Sequence, residues 1–220
     1  MSDAALLESI ARDLYTAVLS DVLDDLGYRD QAMPPSIRPL DDALVMAGRA
    51  RTGIYREVYS VTPGVNPYAL EIALVDDLKP GEVAVLGCGG SSRIAPWGEL
   101  LSTAARARGA AGCLTDGFVR DVKFIRKMSF PVFHGGIAPL DSKGRGMVAE
   151  IDVPIRCCGV AVSPGDLVVG DADGVIVVPR AVESAALTKA FAKVRGENDT
   201  RAELERGAKL ADVFARHGIL

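Results

Sequence analysis

The sequence predicts an α/β fold built on a mixed sheet, and three observations carry that expectation. Short apolar runs rich in Val, Leu and Ala alternate with stretches of helical period through most of the first 140 residues. Between Val148 and Pro179 the helical stretches cease, and β-branched runs are separated by the turn sequences SPGD and DADG. The 220 residues are 49% hydrophobic but only 5% aromatic and include 23 glycines, a composition suited to closely packed small side chains. A chain of this length can bury a core without a disulfide or metal staple, so one globular domain over 1–220 is expected.

Between Ala4 and Gly27 the residues Leu6, Leu7, Ile10, Leu14, Val18, Val22 and Leu26 recur at intervals of three and four. One or two helices over 4–27 follow, with Gly27 as their stop. The stretch MPPSIRPL holds three prolines and reads as an extended loop. Strand material begins at Ala43, a helix covers about Tyr68 to Leu78, and a KPG turn leads into the strand EVAVLGCGG. The helix GELLSTAARARG, the strand AAGCLTDG, the short helix VKFIRKM and the strand FPVFHGG come next. From Val148 three or four strands are expected, and DADG reads as a hairpin turn rather than a calcium loop. The tail is polar and helical over about 181–217, with Gly196 and Gly207 as breaks. Neither the regular βα alternation of an eightfold barrel nor a GxGxxG nucleotide motif is present.

The formal net charge is −4, and Lys and Arg are scattered, so no electrostatic footprint for nucleic acid or an anionic membrane exists. The acids of the first 27 residues do not fit a signal peptide, and no run of 18 apolar residues could span a bilayer, so a cytoplasmic protein is expected. Cys88, Cys113, Cys157 and Cys158 form no CxxC and read as buried structural thiols, the adjacent pair facing opposite sides of a strand. With two distant histidines, His134 and His217, a zinc site has little to build on.

Chemistry gathers between Gly98 and Val122. Glu99 opens a helix that follows a glycine-rich strand exit, and 20 residues intervene before Arg120 and Asp121. A helix followed by a strand returns the chain to the same sheet edge, so the three side chains can converge on one pocket. Arginine pairs bidentately with a carboxylate, and a lone aspartate suits a hard cation such as Mg²⁺ completed by waters. Such a metal would polarise a 2-oxo acid held by Arg120, while Glu99 moved protons through a water. The lysines fall in turns or polar helix faces, which disfavours a Schiff base. On spacing alone, an Arg-Asp dipeptide is more often a surface ion pair.

The set LSDVLDDLG, GELL, DGFVRDV, FPVF, DSKGR and CCGVAVSPGDLVVGDADGVIVVP resembles the RraA-like family, from about Ser20 to the C-terminal helices. That family includes class II pyruvate aldolases acting on 4-hydroxy-4-methyl-2-oxoglutarate and 4-carboxy-4-hydroxy-2-oxoadipate. The resemblance implies a swivelling β/β/α-type fold, homotrimers or homohexamers with sites between subunits, dependence on Mg²⁺ or Mn²⁺, and decarboxylation of oxaloacetate through the same enolate. It gives Asp121 the metal, Arg120 the pyruvyl carboxylate and Glu99 the activation of a water. Gly98, the amide of Leu100 and the glycine loop with Gly89 and Gly90 then cradle the substrate. Two positions depart from the pattern: Glu99 replaces a common Asp, and Phe124 stands where an acid is usual. Lys143 and Arg145 are candidates for a second substrate carboxylate, His134 for the pocket wall, and Glu197 for a neighbouring subunit's site. The competing reading is a non-catalytic relative of the RraA regulators, which bind a ribonuclease; the intact Arg120–Asp121 pair favours the enzyme.

Overall fold

Successive residues of a strand point to opposite faces, and the apolar runs of this chain use both. In the computed structural model, which describes residues 2–218, Val83 and Val85 face one core while Ala84 and Leu86 face another. Cys113 and Leu114, and Val132 and Phe133, divide in the same way. A sheet buried on both sides needs a layer on each.

In chain order the elements are α1 (Asp3–Asp13), α2 (Thr16–Asp25), β1 (Arg38–Pro39), β2 (Met46–Glu57), α3 (Ala69–Asp76), β3 (Glu82–Gly87), α4 (Glu99–Ala107), β4 (Gly112–Val119), α5 (Val122–Lys127) and β5 (Val132–Ile137). They continue with β6 (Gly146–Ile151), β7 (Ile155–Cys157), β8 (Val160–Val162), β9 (Leu167–Gly170), β10 (Val175–Val178), α6 (Glu183–Glu205) and α7 (Leu210–His217). The main sheet runs β1-β5-β4-β3-β2-β9-β10, and β6 also pairs with the long β2. Strands β2 to β5 are parallel neighbours, whereas β1, β6, β9 and β10 join antiparallel, which makes the sheet mixed as expected.

Three cores follow from this arrangement. Helices α3, α4 and α5 cover the parallel half through Leu74, Val75, Ala105 and Ile125. Helices α1, α2 and α6 cover the antiparallel half through Ile10, Leu19, Leu23, Ala186 and Ala190. On the opposite face Ile155, Cys157, Val160 and Val162 of the β7-β8 ribbon close over Val83, Val85, Leu114 and Phe133. The layers are ribbon, sheet and helices, the β/β/α arrangement that the resemblance implies. None of the described helices is long and apolar enough to cross a membrane.

Residues 4–27 form two helices, within the one or two expected, parted at Leu14 and Tyr15; the Thr16 amide and hydroxyl donate to Asp171 of the DADG turn at 2.8 and 2.7 Å. The structure departs from the sequence reading at three points. Five strands, not three or four, lie between Gly146 and Val178, because β7 and β8 have only three residues each. Cys158 is not in a strand: it and Gly159 both have positive φ and form the two-residue turn of the β7-β8 hairpin. Gly196 breaks nothing, since α6 runs on to Glu205 and ends before Gly207. A glycine inside a helix costs about 1 kcal/mol. Here the buried Leu187 and Ala190 on one side of it and Thr200 on the other hold the helix through.

Candidate active site

Strand β4 runs between β3 and β5 and stops at Val119, so Arg120 emerges at the C-terminal edge of the parallel strands. The segment before α4 is laid beside it: Trp97 bridges to Val119, and the Arg120 amide donates to the Trp97 carbonyl at 3.0 Å. Trp97 is held from behind, its indole N–H donating to Ser102 Oγ at 2.8 Å and its ring stacked on Phe130 at 6.4 Å. The main chain at Gly98 is thereby fixed against the pair. A Cβ at Gly98 would lie 2.7 Å from Asp121 Oδ2, so the close approach requires glycine.

Asp121 precedes α5 in the left-handed conformation, φ 57° and ψ 26°, which among non-glycine residues Asn and Asp tolerate best. Its carboxylate makes no capping bond to α5. It turns back instead, where Oδ2 accepts from the Glu99 amide at 3.3 Å and lies 3.7 Å from Arg120 Nε. Arg120 Nη1 donates to the Leu140 carbonyl at 3.3 Å and stands 3.6 Å from Asp141 Oδ1. The Tyr68 hydroxyl in turn donates to Asp141 Oδ2 at 2.7 Å. Burial alone would push the Asp141 carboxyl up, but the Tyr68 bond, the Lys143 and Ser142 amides and the Arg120 charge hold it below the usual carboxylate range. Burial and the bond to Asp141 push the Tyr68 phenol up to about 12.

These groups border a cavity of about 290 Å³ whose wall includes Arg120, Asp121, Gly98, Leu100, Asp141 and Glu71. Apolar surface from Trp97, Ile72 and Leu101 completes it. The structure therefore brings together four of the expected residues: Arg120, Asp121, Gly98 and Leu100. Glu99 reaches the pair through its amide only, since its carboxylate accepts from Thr103 one turn along α4 at 3.0 Å and is not part of the wall.

Gly89 and Gly90 do not border this cavity. Their loop is tied to the buried Asp116, which accepts from the amides of Cys88, Gly90 and Cys158, the last two at 3.2 and 3.0 Å. Lys143 and Arg145 also lie outside the wall, Arg145 donating to the Asp141 carbonyl at 3.3 Å. His134 is buried on β5 with Nδ1 unpartnered, and burial lowers its basicity; it is not part of the wall. Glu197 accepts from the Tyr15 hydroxyl among the helices that cover the antiparallel half of the sheet.

Among the wall residues that escaped the sequence reading are Tyr68, Asp141 and Glu71. The last had a signal. Glu71 stands three, four and seven residues before Leu74, Val75 and Leu78, all buried, so helical period alone puts an acid on an apolar face.

Among the described residues no three His, Cys, Asp or Glu side chains are grouped to enclose a metal. Of the wall carboxylates, Asp141 and Glu71 are engaged by Tyr68 and Tyr55, which leaves Asp121 as the one hard ligand; a single carboxylate fits a cation that keeps most of its water, as Mg²⁺ does.

The sequence profile of the RraA-like (Aldolase/RraA) family matches residues 16–177. A 4-hydroxy-4-methyl-2-oxoglutarate aldolase of Thermus thermophilus is 30% identical over 71% of this chain and 90% of its own. A protein of Halalkalibacterium halodurans that carries the same name provisionally is 36% identical, over 83% of this chain and 80% of its own. The crystal structure of Streptomyces coelicolor RraAS2, described as an unusual member of the RNase ES inhibitor RraA family, superposes with a TM-score of 0.79 at 28% identity, covering 91% of this chain and 97% of that one. With its ribbon, sheet and helix layers and its match across most of the sequence, the chain belongs to the RraA-like family.

Proposed function

We propose that this protein is a cytoplasmic, pyruvate-forming lyase of the aldolase type, acting on 2-oxo acids of the 4-hydroxy-4-methyl-2-oxoglutarate kind. The observation that carries the reading is the Arg120–Asp121 pair, held at the cavity wall by the Leu140 carbonyl, Asp141 and the Glu99 amide. Arg120 is anchored through Nη1, so its guanidinium offers a fixed cation to the carboxylate of the 2-oxo acid. The Leu100 amide lies in the first turn of α4, where it has no acceptor within the helix, and adds a donor for the same anion. Asp121 would hold Mg²⁺ or Mn²⁺, whose Lewis acidity would stabilise negative charge developing on the 2-oxo group. Trp97, Ile72 and Leu101 give the cavity an apolar wall, beside which these interactions are stronger than in open water. Activation of a water by Glu99 requires its carboxylate to leave Thr103. Decarboxylation of oxaloacetate passes through the same enolate and belongs to the reading.

Assembly into homotrimers or homohexamers with sites between subunits is part of the proposal. Its support is the apolar rim at this edge, where Leu100, Phe124 and Ile137 are 78%, 54% and 55% exposed. The test is release of pyruvate, coupled to lactate dehydrogenase, from oxaloacetate and from 4-hydroxy-4-methyl-2-oxoglutarate, with Mg²⁺ and then with EDTA. Pyruvate that depends on the metal supports the lyase. Silence on both substrates moves the weight to a ribonuclease-binding regulator, the reading that the likeness to RraAS2 favours, or to a lyase for another 2-oxo acid.

A further inference from the structure

Glu71 is an unusual wall residue. Only 9% exposed, it sits in α3 among Leu74, Val75 and the apolar floor of the cavity. An ionised carboxylate in such a place is costly unless a cation pairs with it. None of the described ion pairs includes Glu71. The Tyr55 hydroxyl, itself buried, donates to Glu71 Oε2 at 2.7 Å. Burial pushes Glu71 up to about 7, the Tyr55 bond opposing; Asp141 adds to the rise and Arg120 subtracts from it, which places both within electrostatic reach. The molecule thus keeps, beside its only wall arginine, a carboxyl that can both release and hold a proton.

An aldol cleavage needs a group with that ability. We propose that Glu71 takes the proton from the C4 hydroxyl of the bound 2-oxo acid and returns it to C3 of the pyruvate enolate, with Tyr55 positioning its carboxyl. The inference rests on the pyruvate-forming reading above. As the Glu71 carboxylate removes the hydroxyl proton, the O–H pair becomes the new carbonyl at C4 and the C3–C4 bond breaks. Its electrons form C2=C3, and the former C2 carbonyl oxygen carries the charge. Protonated Glu71 then delivers the proton to C3, the C2 carbonyl reforms, and pyruvate leaves. No proton is gained or lost overall and no oxidant is required. In decarboxylation only the second half operates, and solvent restores the proton.

The test uses the full chain with Mg²⁺ in D2O, following deuterium entry into the methyl group of pyruvate by NMR, with calorimetric titration of oxalate, a planar mimic of the enolate. The wild-type protein is expected to exchange the methyl protons and to bind oxalate. Glu71→Gln should bind oxalate within about threefold of wild type while exchange falls at least ~100-fold, the usual worth of a positioned acid or base. Glu71→Asp, which keeps an ionisable group one methylene back, should retain about a tenth of wild-type exchange. Tyr55→Phe should lower exchange several-fold with oxalate binding unchanged. Exchange in Glu71→Gln close to wild type overturns the proposal. So does a parallel loss of oxalate binding and exchange, which would make Glu71 a group that shapes the pocket. If Glu71→Gln does not fold, exchange by Glu71→Asp below a hundredth of wild type overturns it instead. A wild-type protein that neither exchanges pyruvate nor releases it from either substrate overturns the lyase reading itself, a result distinct from any difference between variants.

Discussion

Asp116 and Asp121 stand five residues apart in the stretch TDGFVRD, at and just beyond β4, and the fold uses them in opposite ways. Asp116 is 6% exposed, and its carboxylate collects three backbone amides from two other loops. Its acceptor capacity is spent on holding the glycine loop to the β7-β8 turn. Asp121 is half exposed, with one long bond from the Glu99 amide and one loose contact with Arg120. Its outer oxygen keeps its lone pairs. The difference teaches that residue type and neighbourhood in sequence do not mark a functional carboxylate; unspent bonding capacity at a cavity wall does.

Substitutions break or sharpen this contrast. The largest effect is expected from Asp121→Ala: metal-dependent pyruvate release should fall at least ~1,000-fold, while the denaturation midpoint stays near that of wild type. Unchanged metal-dependent turnover would sink the assignment of Asp121. Asp116→Ala should do the reverse, leaving three amides without acceptors and costing about 3 kcal/mol or more in urea denaturation. A variant as stable as wild type would show that water replaces the carboxylate. Arg120→Ala should raise KM for every 2-oxo acid by ~30–100-fold, about 2–3 kcal/mol, with a smaller change in kcat. If kcat alone falls, Arg120 acts later than binding.

The smallest effect concerns stability and pH. The Glu71 carboxyl titrates at about 7 when folded and near 4.5 when free. Below 4.5 both states carry the proton, so nothing separates them. Between 4.5 and 7 only the unfolded chain releases it, so rising pH favours unfolding, and above 7 the penalty is constant. Glu71→Gln removes the penalty. It should match wild type near pH 4 and exceed it by about 3 kcal/mol at pH 8, read from denaturation at both. A gap that does not grow with pH would show that burial leaves Glu71 unshifted.

Much of the fold was legible because it follows from period. The unbroken apolar run Val83 to Leu86 and the spacing over Leu6 to Leu26 are local; the first marks a strand buried on both faces, the second the buried face of a helix. The three-residue strands β7 and β8 were not legible, since they are too short for a period, and the two-residue turn between them borrows Cys158 where Asn or Asp is usual. That Arg120 and Asp121 return to the start of α4 followed from one helix and one strand leading back to the same edge. What Glu99 contributes did not: sequence reading assigns work to side chains, and here the amide makes the contact while the carboxylate turns to Thr103. Asp141 and Tyr68 meet across 73 residues of sequence, a contact that no local pattern encodes.

Position within the sheet has a consequence for endurance. Arg120 and Asp121 are tethered to β4, a strand flanked by β3 and β5 and buried on both faces. Amides of such a strand exchange with solvent only when the whole domain opens, whereas those of an exposed loop exchange by local fluctuation. The pair therefore belongs to the last cooperative unit to come apart. Under mild denaturant, function and global structure should disappear in one transition, with no inactive, still-folded stage before it.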